Sequence, residues 1–151
     1  MSEFYKVQYR FLKDYHLVIK KHIGLIELDK LIRSTEMLCL KKEFSEKTNF
    51  LIDLRAARFS KDVEKVKDFV VFLNDSFPFV LNNKIAFITE ESDQVAMATL
   101  FKMFQSKLAR NIQVFNAPEF AFLWLNILVT PQRIEELMYC TDILDYRAFN
   151  Q

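Results

Sequence analysis

Glycine is nearly missing from this chain: Gly24 is the only one in 151 residues. That rules out a glycine-rich phosphate loop and a Gly-x-Ser-x-Gly nucleophile elbow, both of which need several. Cysteine is almost as scarce. Cys39 and Cys140 sit in apolar helical patterns without the spacing of a metal motif, so they read as buried thiols in a reducing compartment. Histidine occurs twice, with no His-Glu-x-x-His. His16 and His22 share a strand face, but six residues of extended chain span about 20 Å, too far for one metal or one proton relay. Both are expected at the surface. Charge of either sign is not in excess: 21 Lys and Arg against 20 Asp and Glu give +1, no field to gather nucleic acid or an anionic membrane. The longest apolar run, Phe120 to Val129, is broken by Asn126 and too short to cross a bilayer. No basic, apolar signal opens the chain, so a cytoplasmic protein is expected. Neither a metal nor a cofactor is implied.

Apolar residues are what the chain has in quantity. They make up 51% of it, 16 of them Phe, enough for one sizeable core and a single domain over residues 1–151. Residues 4–12 alternate, with Tyr5, Val7, Tyr9 and Phe11 on one face, as in a half-exposed edge strand. Lys13-Asp14 offers a turn into a second strand over 15–23, so an antiparallel hairpin opens the fold. Gly24 follows. It marks either a plain strand terminus, the simpler reading, or a positive φ or close backbone approach.

Strands then alternate with helices. An amphipathic helix is expected from Leu25 to about Lys42, and a central, nearly all-apolar strand over Asn49 to Arg55. Ser60 is the expected N-cap of a helix carrying Val63, Val66, Val70 and Leu73 inward. Residues 74–83 read as a turn-like stretch. Strands at Lys84–Thr89 and Asn111–Phe115 alternate with helices at Ser92–Ala109 and Ala117–Val129, the pattern of βαβ crossovers. Asn116 to Glu119 reads as a capping box. Thr130-Pro131 opens a last helix to about Tyr146, with Ile134, Leu137, Met138 and Leu144 as its stripe.

Several strings in this order carry a resemblance. Asn-Phe-Leu-Ile-Asp-Leu-Arg-Ala-Ala-Arg-Phe at 49–59 resembles the central strand of the anti-sigma-factor antagonist-like, or STAS, fold. Lys-Ile-Ala-Phe-Ile-Thr at 84–89, Asp-Gln-Val-Ala at 93–96, Val-Phe-Asn-Ala-Pro-Glu at 114–119 and Ala-Phe-Leu-Trp-Leu at 121–125 resemble small bacterial STAS-like proteins. The resemblance covers roughly residues 4–126. It implies an α/β fold: a mixed sheet with an N-terminal antiparallel hairpin, parallel strands and flanking helices. In the best understood members it also implies a protein-binding switch worked by phosphorylation. Here Lys61, Asp62, Val63 and Glu64 stand where those members have Asp-Ser-Ser-Gly. Ser60 is out of register with the phosphate acceptor.

No convergent catalytic set is legible, and an enzyme is not expected. Asp53 with Arg55 or Arg58 reads as a structural ion pair. Ligands of open α/β sheets favour the carboxyl ends of the parallel strands, which singles out Arg55, Arg58, Ser60, Thr89, Glu91, Ser92 and Asn116 as partner or ligand loops. Loop caps are the plainer account of the same residues. On the helix from Ser92, Met97, Phe101, Phe104 and Leu108 form one apolar stripe and Ala96, Leu100 and Met103 a second. Such breadth fits packing beneath the C-terminal helix, or a homodimer or protein-binding face, or an apolar cavity. A regulatory or protein-interaction module, self-associating, is the expected function. The alternative is a carrier of a small apolar or lipid-like ligand.

Overall fold

The structure, a computed structural model, describes residues 4–144, with the side chains of 106 and 107 left aside. The alternating segment forms strand β1 (Tyr5–Leu12), and a single 3-10 turn returns the chain as β2 (Leu17–Ile26). The two pair antiparallel from Tyr5↔Gly24 to Leu12↔Leu17. Gly24 does not end β2. It lies within the strand at φ +91°, and a Cβ there would collide with the Phe4 carbonyl oxygen, so the lone glycine serves a positive φ and a close backbone approach.

Helix α1 (Leu28–Cys39) leads to β3 (Asn49–Phe59), α2 (Val63–Ser76), β4 (Ile85–Ile88), α3 (Ser92–Phe104), β5 (Ile112–Phe115) and α4 (Pro118–Trp124). Then come α5 (Pro131–Leu137) and β6 (Asp142–Leu144). The sheet order is β5-β4-β3-β2-β1-β6, with β2 to β5 mutually parallel and β1 antiparallel to both its neighbours. An α/β mixed sheet flanked by helices is therefore present, and β3, β4 and β5 are adjacent and parallel as expected.

Helices cover both faces, which is why the parallel strands are apolar almost throughout. Helices α1, α2 and α3 lie over Val18, Phe50, Leu54, Ile85 and Phe87. On the opposite face α4 and α5 lie over Ile19, Leu51, Ala86 and Ile88 and bury Phe122 completely. Strand β3 carries a bulge: Lys21 faces Asp53 but Ile23 faces Ala56, so Leu54 and Arg55 together stand opposite His22.

Several expectations need correction. The last helix does not reach Tyr146, which lies outside the described residues; α5 stops at Leu137 and the chain becomes β6. Arg10 of β1 explains the stop. Its guanidinium donates to the carbonyl oxygens of Glu136 at 2.9 Å, Tyr139 at 3.4 Å and Leu137 at 3.5 Å, capping the helix end with positive charge. Consequently β1 is not the edge of the sheet, because β6 pairs with it from Val7↔Leu144 to Tyr9↔Asp142. Helix α2 is capped by Asp62, whose side chain accepts from the Glu64 amide at 3.1 Å, and not by Ser60. The N-cap of α4 is Ala117, which has no side-chain acceptor, so Asn116 and Glu119 fall one position out of register and the Asn116–Glu119 box is absent. A reciprocal box forms on α3 instead, between Glu91 and Gln94. Residues 78–82 form a 3-10 turn, and α3 ends at Phe104, well short of Ala109.

Candidate functional site

The site begins with β2, whose residues 18, 20 and 22 point to the α1–α3 side. Position 18 is Val, but the next two are Lys20 and His22, only 4% and 2% exposed. Both belong to the wall of an apolar cavity of about 130 Å³ between the sheet and α1, α2 and α3. Leu31, Leu38, Ile52, Phe69, Met97 and Phe101 are among its apolar wall residues. Exposed Ser60, Asp62 and Lys65 also line it, which places its mouth at the carboxyl end of β3, beside the start of α1. A cavity of about 150 Å³ lined by Leu, Ile and Phe is large enough to hold benzene. This one has the same scale.

His22 is expected on the surface from its sequence, but the structure buries it. Its Nδ1 is hydrogen-bonded to the Tyr5 hydroxyl at 2.9 Å, and the two rings stack with centroids 5.9 Å apart. Burial, and then the nearby Lys20 charge, hold its pKa well below the ordinary histidine value, so the ring is neutral at physiological pH. His16 behaves differently: it is exposed and takes a left-handed φ of 50° to close the hairpin turn.

Lys20 has no such partner. None of the ion pairs or hydrogen bonds of the described residues involves it. The wall around it is largely apolar, with His22 and Thr35 as further buried polar wall residues and the Cys39 thiol nearby. Desolvation pushes its pKa down to about 8, with Cys39 acting in the opposite sense. Burial pushes Cys39 in turn up to about 11. At neutral pH Lys20 is thus still mostly an ammonium, and Cys39 is a thiol. Thr35, another buried wall residue, is already satisfied: its hydroxyl donates to the Leu31 carbonyl at 2.8 Å.

The loop residues singled out from sequence do not gather at one point. Ser60 alone lies on the cavity. Arg55 folds back on Asp53, with Nε to Oδ1 at 3.0 Å and a terminal nitrogen to Oδ2 at 2.9 Å, the structural ion pair anticipated. That hydrogen bond raises the Arg55 pKa, and the charges of Glu90 and Glu119 add to it. Thr89 is buried and its hydroxyl donates to the Phe115 carbonyl at 3.3 Å. Glu91 belongs to the α3 capping box, with Ser92 beginning the helix. Gln94 of that box also donates to the carbonyls of Arg55 and Ala57, holding α3 onto the β3 bulge. Arg58 and Asn116 are exposed.

Sequence reading missed Lys20 as a site residue because charges at alternate positions resemble the wet face of a hairpin strand. The signal that contradicts this is topological: a strand with a parallel neighbour inside a helix-covered sheet has no wet face. A second depression, beside β1 and α5, is polar and carries opposed charges from Arg10, Lys13, Asp14, Glu43, Arg133 and Asp142. Among the described residues no three His, Cys, Asp or Glu side chains are placed to hold a metal, and no helix is long and apolar enough to cross a membrane. Compared with known proteins, the chain matches no family model and no curated sequence.

Proposed function

We propose that this chain is a non-enzymatic carrier of a small apolar ligand, held between α1, α2, α3 and the sheet. The observation that supports the reading is the cavity itself: about 130 Å³ of space walled by apolar side chains and reaching the surface at the carboxyl end of β3. Parallel α/β sheets place ligands at that end. The STAS-like resemblance belongs to the same proposal, since a mixed sheet flanked by helices is what it implies. Its phosphorylation switch does not.

A self-associating interaction module is the second reading. It is favoured by Phe120 and Leu123, three apart on α4 and 57% and 60% exposed. Native mass spectrometry of the purified protein tests both, because one spectrum reports retained small molecules and oligomeric state. A retained molecule, or for the emptied protein a saturable rise in Tm with toluene or 1-hexanol, is the expected result. An empty spectrum together with an unmoved Tm for both probes would remove the carrier reading, and a dimer in that spectrum would turn attention to α4.

A further inference from the structure

Buried ammonium groups are rare and almost always paired, because taking the charge out of water costs several kcal/mol unless another charge or hydrogen bonds offset it. Lys20 is the exception here: 4% exposed, on the cavity wall, and in no described ion pair or hydrogen bond. Its companions in the wall do not offset the charge. His22 is committed through Nδ1 to the Tyr5 hydroxyl, Thr35 is committed to the Leu31 carbonyl, and the one wall carboxylate among the described residues, Asp62, is exposed near the mouth, where its side chain caps α2. What this arrangement lacks is an anion inside an apolar space.

Resting on the carrier reading, we infer that the ligand is a short apolar carboxylate whose headgroup pairs with Lys20 while its hydrocarbon part fills the space beneath α1–α3. The size sets an upper limit. A cavity near the volume that holds benzene accepts a chain or ring of about six carbons, not a long fatty acid. The polarity sets the head. A carboxylate neutralises the ammonium, whereas an alcohol of the same length accepts a hydrogen bond from it but brings no charge.

Hexanoate and 1-hexanol, titrated calorimetrically into the full chain, separate these claims. Hexanoate is expected to bind at least about tenfold more tightly than 1-hexanol, and Lys20→Met, which keeps the methylene stem, is expected to abolish that preference. The unmodified protein supplies a control that needs no variant to fold. Hexanoate affinity should fall by up to roughly tenfold per pH unit above about 8, as free Lys20 loses its proton, while 1-hexanol affinity stays level. The other titratable groups facing Lys20 are His22 on its own strand, Cys39 on α1, Tyr9 across the β1 ladder, and Asp62 and Lys65 towards the mouth on α2. His22 is already neutral over that range, and Cys39 keeps its proton to about 11. Equal affinity for the two probes, or a hexanoate preference that survives Lys20→Met, overturns the role of Lys20 and leaves the carrier reading standing. Binding of neither probe overturns both.

Discussion

Lys20, His22 and Cys39 give the protein a pH profile that ordinary surface groups do not. His22 has a folded pKa well below 6.5, so as pH falls below 6.5 the unfolded chain takes up a proton that the folded chain refuses, and stability is lost. Lys20 has a folded pKa of about 8 against 10.5 unfolded. Above pH 8 the folded state releases its proton first, so stability rises with pH and reaches its full gain, at most about 3 kcal/mol, once the unfolded amine also deprotonates near 10.5. Cys39 acts the other way. From its unfolded value of 9 up to its folded value of about 11, only the unfolded thiol ionises, and stability falls. Denaturant midpoints measured across this range should drop below pH 6.5 and climb from about 8 to 9; above 9 Cys39 and Cys140, both raised by burial, oppose Lys20 and end the climb. Lys20→Met should remove the climb, and His22→Gln the acid loss. A wild-type profile that is level between pH 8 and 9 would mean that Lys20 is hydrated, and the cavity wall wet.

At the scale of elements, α5 and β6 test how far the fold depends on its C-terminal end. Ile134, Leu137, Met138, Cys140 and Leu144 are all buried, and β6 is the strand that covers β1. Each Leu-sized side chain is worth roughly 1.5 to 3 kcal/mol, against a typical total of about 5 to 15 kcal/mol. Truncation after Thr130 is therefore expected to give aggregation or a large fall in Tm, and the milder Leu137→Ala to cost about 2 to 5 kcal/mol, read from calorimetric melts and size-exclusion profiles. A soluble truncated protein with an unchanged Tm would make this segment a passive tail. The same region shows why parts of the fold were legible and parts were not. Strand β4 and the first half of β3 are apolar runs whose burial on both faces is written in their own residues, and β5 repeats the pattern more weakly at the sheet edge. Strand β6 is three residues long and takes its hydrogen bonds from β1, far back in the chain, so no local pattern could announce it. Leu144 has helical spacing from Leu137, but Arg10 ends the helix between them. The helix starts failed on a finer point: Ser60 and Asp62 both suit a cap, and only backbone geometry chooses between them. For the cavity, the sequence offered an excess of Phe and nothing to say where those rings meet.

For the whole molecule, the distribution of those rings separates the two faces of the sheet. Eleven of the 16 phenylalanines belong to the core under α1–α3 and two to the core under α4 and α5. In the larger core Phe69 and Phe87 meet Phe101, and Phe72 and Phe79 meet Phe77, at tilted or edge-on angles, while Phe69 and Phe72 stack. Of these rings, Phe69, Phe87 and Phe101 line the cavity. Such a space forgoes about 24 cal/mol per Å³, or up to about 3 kcal/mol for 130 Å³. Filling it gives a test whose sign separates empty space from packed core. Ala98 of α3 is 2% exposed and lies on the cavity wall, so Ala98→Leu directs three further carbons inward. Entering open space, they should stabilise the protein by about 0.5 to 2 kcal/mol and weaken 1-hexanol and hexanoate alike, because both need the same volume. Entering a core already closed, they should destabilise it by about 1 to 3 kcal/mol through forced rotamers and backbone shifts. A thermal melt reads the sign directly, and titration of the same sample reads the loss of binding. A destabilised Ala98→Leu that still bound both probes would place them outside this cavity, and would leave Lys20 as a buried charge whose counterpart has yet to be found.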